Sequence, residues 1–136
     1  MSNIMEQARK GVTPLIEAVA EKEGLEPEFV RRGVASGRIV IPCNPIHDPH
    51  PCGIGEGLSI KINANVGTSR DRVDLAEELE KVAVSLRYGA DAVMDLSTGG
   101  DIDVIRRAIL DACPVPVGTV PIYQIGLTAA RRGALV

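Results

Sequence analysis

The chain has 136 residues, 45% of them hydrophobic, and a net charge of −3, which suits a globular domain with its own core and excludes a disordered chain. Acids and bases are interspersed without a Lys/Arg stripe, and Phe29, Tyr88 and Tyr123 are the only aromatic residues, so no nucleic-acid partner is expected. No apolar run approaches the ~18 residues of a membrane span, and the N-terminal stretch is charged where a signal peptide needs an apolar segment; the expectation is a cytoplasmic protein with no membrane partner.

The first third of the chain reads as helical. Thr13 before Pro14 is a cap followed by a proline at the first helical position, and Gly24 closes that helix. Pro27 opens another, with Phe29, Val30 and Val34 on one side and Gly37 at its end. Arg38–Pro42 is a short β-like run, and the Pro- and Gly-rich stretch from Cys43 to Gly57 reads as a loop.

From Ser59 onward the pattern repeats. A strand over Ser59–Asn65 is followed by an amphipathic helix over Asp74–Tyr88, with Asp74 and Glu77 in capping-box spacing and Gly89 at its end. A second strand, Asp91–Leu96, leads to a helix over Ile102–Ala112 capped by Asp101, with Ile105, Ile109 and Ala112 sharing a face. Val115–Val120 is a third strand, and a third helix begins in Gly126–Arg132. The predicted fold class is α/β with a parallel sheet. Residues 1–58 form a helical segment, short strand and Pro/Gly loop, and residues 59–136 form three βα units.

The repeat has a period. Asn65, Met94 and Tyr123 are spaced by 29 and 29 residues, each at or just beyond the C-terminal end of its strand. In a parallel sheet those ends open on one face, where ligands of α/β proteins bind. Lys61, Asn63 and Asn65 fall on one side of the first strand. A polar row facing a barrel interior, or an edge strand wetted on one face, would account for that.

Other motifs carry two readings each. Ser97-Thr98-Gly99-Gly100-Asp101 and Gly67-Thr68-Ser69 follow strands and offer amides that could cradle a phosphate, or are plain βα turns. Gly53-Ile54-Gly55-Glu56-Gly57 precedes a strand, the wrong order for a dinucleotide fingerprint. His47 and His50, with Cys43 and Cys52 nearby, sit among prolines that prevent a helix from aiming them at one metal. A solvated loop with His47 at the edge of a site is the better reading. Asp95 could act as a general base or hold loop amides. Met94 alone would pass as core packing, and Tyr123 offers a flat face and a hydroxyl to a heterocycle. Cys43, Cys52 and Cys113 lack C-x-x-C spacing and read as reduced thiols.

The strings IVIPCN and IH on either side of Pro45 (within Ile39–His47), KINANVGTS (Lys61–Ser69), YGADAVMDLSTGG (Tyr88–Gly100) and PVPVGTVPIYQ (Pro114–Gln124) resemble successive blocks of the phosphomethylpyrimidine synthase (ThiC) family. The resemblance implies the first three βα units of a (β/α)8 TIM-type barrel that converts 5-aminoimidazole ribonucleotide to the hydroxymethylpyrimidine phosphate of thiamine. It implies S-adenosylmethionine, a 4Fe-4S cluster and a divalent metal (zinc or iron) as cofactors, and a homodimer when complete. By that resemblance Asn65, Met94 and Tyr123 are substrate-binding residues. The family's C-x-x-C-x-x-x-x-C motif and its metal-binding histidines have no match here. The 136 residues are therefore expected to be a piece of a longer enzyme, or a degenerate reading frame, inactive alone. The related 5-hydroxybenzimidazole synthase shares these early motifs and stays open, as does a non-catalytic small α/β ligand-binding or interaction domain.

Overall fold

The computed structural model describes residues 3–43 and 50–133, which divide into two units, Met1–Lys61 and Ile62–Val136. In the first unit, helix α1 (Ile4–Lys10) is capped by Asn3, whose side chain accepts the Glu6 amide. Helix α2 (Pro14–Glu23) starts as expected: Thr13 accepts the Ile16 amide, Pro14 follows, and Gly24 ends it in the left-handed conformation. Helix α3 spans Pro27–Ala35. Ala8, Ile16, Val19, Ala20, Val30, Val34, Ile39 and Ile41 form one apolar core.

Two expectations change here. Val30 and Val34 are buried, but Phe29 is 38% exposed, with its ring laid over Gly57 at the margin of the unit. The stretch read as a loop contains a two-residue strand, β2 (Ile54–Gly55), antiparallel to β1 (Ile39–Val40). A strand that short leaves no periodicity to read.

The second unit alternates strand β3 (Asn63–Val66), helix α4 (Leu75–Arg87), strand β4 (Ala92–Asp95), helix α5 (Ile102–Ala112), strand β5 (Val117–Thr119) and helix α6 (Pro121–Arg131). The sheet is parallel in the order β3-β4-β5, so it contains two β-α-β crossovers in series. Val66, Val82, Val93, Ile105, Ile109 and Cys113 form its core. Helices α4 and α5 therefore cover the sheet face carrying Val66 and Val93. The opposite face carries Asn63, Asn65, Ala92, Met94 and Gly118, and both asparagines are exposed. On α5, Ala112 is exposed, and Ile102 and Cys113 complete the buried row instead.

The first strand of this unit begins at Asn63, later than the expected Ser59. Lys61 is bound elsewhere: its ammonium lies 2.7 Å from the Glu23 carboxylate at the end of α2. The Ser59 amide donates to the same carboxylate at 2.8 Å. Residues 59–61 are thus part of the first unit. Asp74 caps α4 by accepting the Glu77 amide, but Glu77 bonds Arg72 and Lys81 rather than completing a capping box. Among the described residues, no helix is long and apolar enough to cross a membrane.

Candidate functional site

Asn65 and Met94 are register partners on adjacent parallel strands. Each is one residue short of its strand's end, and both point away from the helices. The 29-residue spacing between them is a true strand register. Asn65 is exposed and Met94 half-buried. Asn65 also borders a groove along the edge of β3, lined by Glu77, Lys81 and Val84 of α4, which does not include Met94.

The third member of that row is Gly118, opposite Met94, and not Tyr123. The Met94 thioether occupies the space above it: a Cβ on Gly118 would lie 2.8 Å from Met94 Cε and 2.9 Å from Sδ. Because those atoms end a flexible side chain, Gly118→Ala is expected to cost less than about 1.5 kcal/mol of stability while pushing Met94 off the row. Thermal unfolding and the chemical shift of a labelled Met94 methyl would check both parts.

Tyr123 lies in the first turn of α6, two residues after Pro121, and is 44% exposed. The expected start of that helix at Gly126 is corrected to Pro121, a proline at the first helical position with no donor to lose. The direction of α6 also differs from a crossover helix. Gln124 donates to Asp103 at 2.8 Å, and Arg131 donates to the Gly100 carbonyl at 2.8 Å. Both partners lie at the N-terminal end of α5, at the strand-end rim of the sheet. A helix returning along the sheet would have carried Arg131 roughly 10 Å from that rim at 1.5 Å per residue. Helix α6 runs along the rim instead, with Tyr123 near its start.

The loops after β3 and β4 are joined to each other. The Thr98 amide donates to the Thr68 carbonyl at 2.7 Å, the Thr68 amide to Ser97 Oγ at 3.2 Å, and Thr68 Oγ1 to the Gly99 carbonyl at 2.7 Å. The Gly67 amide donates to Glu78, a buried carboxylate on α4, at 2.7 Å. These amides serve the turn, which favours the plain βα-turn reading over a phosphate cradle. Asp95 is buried on the helix side of β4 and accepts the Ser97 amide at 2.9 Å. Of its two readings, the structure supports holding a loop amide. Sequence reasoning gave no role to Glu78, and named Thr68 only as part of the Gly67-Thr68-Ser69 turn. The side-chain bonds by which they hold these loops go to backbone groups, the Gly67 amide and the Gly99 carbonyl, which leave no trace in residue spacing.

The cysteines do not fit an iron–sulfur cluster. Cys43 is exposed and Cys52 buried in the first unit, while Cys113 is buried in the other unit's core. Burial pushes the Cys113 thiol up, only partly offset by a backbone hydrogen bond at Val115, which is opposite to what a thiolate ligand needs. His50 is exposed, and Pro45 and His47 lie outside the described residues. Among the described residues, no three His, Cys, Asp or Glu side chains converge as a metal site.

Residues 3–136 match a family model described as the radical SAM ThiC family. The chain is 61% identical over 131 residues to a phosphomethylpyrimidine synthase of Thermus thermophilus, covering 94% of this chain and 30% of that relative. It is 59% identical over 134 residues to phosphomethylpyrimidine synthase 1 of Methanosarcina mazei, covering 98% and 31%. It is 55% identical over 134 residues to phosphomethylpyrimidine synthase 2 of Methanothermobacter thermautotrophicus, covering 97% and 32%. The chain spans under a third of the length of these relatives and corresponds to their N-terminal portion.

Proposed function

The chain belongs to the radical SAM ThiC family, and from that premise we propose that it forms the N-terminal portion of a phosphomethylpyrimidine synthase acting in thiamine biosynthesis. The observation that carries this reading is identity of 55–61% to synthases of that name over at least 94% of the chain. It does not favour either the hydroxybenzimidazole synthase or a self-contained binding domain.

In the complete enzyme the substrate is 5-aminoimidazole ribonucleotide, and the sheet is the start of a (β/α)8 barrel. Support comes from helices α4 and α5 on one sheet face and exposed asparagines on the other. A barrel wall has that arrangement, whereas a doubly wound sheet has helices on both faces. The Asn65 amide both donates to and accepts from the ribonucleotide, while Met94 and Tyr123 wall its base and ribose. S-adenosylmethionine at a 4Fe-4S cluster supplies the radical, and a divalent metal, zinc or iron, accompanies it. The family's cluster motif and metal-binding histidines have no match in the sequence, and among the described residues no side chains converge as a metal site, so the 136-residue polypeptide alone is inactive. The complete protein is a cytoplasmic homodimer without nucleic-acid or membrane partners.

The test compares two substitutions in the full-length protein. Asn65→Ala is expected to weaken ribonucleotide binding by roughly 1–3 kcal/mol, because ligand groups built to meet the amide are left unpaired. Met94→Leu nearly conserves volume and should cost less than about 1.5 kcal/mol. Calorimetric titration with 5-aminoimidazole ribonucleotide distinguishes them, and equal losses would refute the polar role given to Asn65.

A further inference from the structure

Strand β4 ends in Met94-Asp95, and consecutive side chains point to opposite faces. Met94 faces the open side of the sheet, and Asp95 turns beneath α5 with its side chain fully buried. One Asp95 oxygen accepts the Ser97 amide. The other, Oδ2, has no hydrogen-bond partner, and neither has Arg106 Nε, 3.8 Å away. The buried carboxylate and the partly exposed guanidinium attract each other while remaining just beyond bonding distance.

The far side of the same guanidinium is engaged. Arg106 Nη1 donates to Gln124 Oε1 at 2.8 Å, and Gln124 Nε2 donates to Asp103 at 2.8 Å. Asp103 lies 3.9 Å from Arg106 Nη1. Arg106 therefore stands between the residue after Met94 and the residue after Tyr123. Helix α6 buries no residue fully and contributes nothing to the apolar core of its unit. Its seat on the rim depends on directional polar bonds, among which the two made by Gln124, to Arg106 and to Asp103, stand beside Tyr123 in the chain.

We propose that Arg106 is a positioning residue that holds Tyr123 at the strand-end rim by tying the first turn of α6 to the buried end of β4. The inference rests on the reading of Met94 and Tyr123 as substrate contacts. Arg106 touches no substrate; it acts through the residues beside the two that do. A guanidinium suits this role because one edge donates to Gln124 while its charge, spread over the whole group, faces Asp95.

The test is a double-mutant cycle in the full-length protein, with the dissociation constant of 5-aminoimidazole ribonucleotide read by calorimetry. Arg106→Met is expected to weaken binding about tenfold in the parent protein and less than about twofold in a Tyr123→Ala background, because its effect passes through Tyr123. Arg106→Met also strips the buried Asp95 of its counter-charge and could unfold the unit. Gln124→Leu is therefore run in parallel: it breaks the clamp on the half-buried side without orphaning the carboxylate, and should show the same loss of effect when Tyr123 is absent. Equal factors in both backgrounds, for either variant, would overturn the clamp while leaving the substrate reading intact. An unchanged affinity in Tyr123→Ala alone would overturn the substrate reading, and the clamp with it.

Discussion

Glu23→Ala is expected to destabilise the first unit by about 3–5 kcal/mol, because it leaves a buried ammonium without its partner. The side chains of Lys61 and Glu23 are 7% and 4% exposed, with 2.7 Å between Nζ and Oε1. Lys61 also donates to the Ser59 carbonyl and hydroxyl, while the Ser59 amide and hydroxyl donate to Glu23. Each charge is thus both paired and hydrogen-bonded, the condition under which a buried pair is tolerated. Glu23 is the last residue of α2, where the helix dipole disfavours a carboxylate and makes the nearby cation matter more. Replacing both partners by Leu and Met should recover much of the loss, since the ion pair's gain largely offsets desolvation. Hydrogen-exchange protection of the α2 and α3 amides reads this unit separately. A single substitution that leaves their protection unchanged would show that water reaches the pair.

The same pair fixes a pH dependence. Burial by itself would raise the Glu23 carboxyl, but the Lys61 ammonium and the Ser59 amide and hydroxyl outweigh it and hold the carboxyl below its ordinary range. The unfolded chain then binds the proton more readily than the folded one. The contribution is complete above the unfolded value of about 4.3, and is lost as pH falls through that value toward the folded one. Glu23→Gln should remove this acid-sensitive step from the stability of the first unit, and the parent protein should keep it.

How much of this was legible in the sequence depends on whether the informative partner is near in sequence. Thr13-Pro14, Gly24, Asp74 and Asp101 are local signals, and they mark helix ends in the structure as they do in the chain. The Asn65–Met94 spacing gave their register, because each crossover returns the chain to the same level of the sheet. The next interval of 29 residues had no such meaning, since Gly118 fills that row and Tyr123 is carried past the strand into α6. The alternation of Lys61, Asn63 and Asn65 looked like one polar strand face. Lys61 instead follows Glu23, a tertiary choice that period-2 patterning cannot register. The bond from the Ser97 amide to Asp95 is local and was one of the two readings the sequence offered, whereas Glu78 and Thr68 bond backbone groups of loops brought together only by the sheet. No spacing rule announces such partners.

Gly67→Ala should cost roughly 3 kcal/mol or more, against the small cost expected at Gly118, although the chemical change is the same. Gly67 follows β3, two residues after Asn65, with φ of 140°, a conformation that residues with a Cβ rarely adopt. The added methyl would stand 2.5 Å from the Ser97 amide nitrogen, 2.7 Å from the Leu96 carbonyl carbon and 2.9 Å from the Leu96 amide nitrogen. All three are backbone atoms, and their segment is anchored on both sides: the Leu96 amide donates to Val66 at 2.8 Å and the Thr98 amide to Thr68 at 2.7 Å. At Gly118 the obstructing atoms end a side chain that can swing away; at Gly67 they belong to a strand end that cannot move without breaking those bonds. The backbone strain and the overpacking each contribute on the order of 1–3 kcal/mol, and both act at one residue. Moving Gly67 would also draw its amide from Glu78, leaving a buried carboxylate one donor short. Denaturant unfolding of the 136-residue chain measures the total, and exchange of the Ser97 and Thr98 amides shows whether the two loops have parted. Full protection of those amides, with a stability loss no larger than at Gly118, would mean that the loops yield where the bonding pattern says they are held.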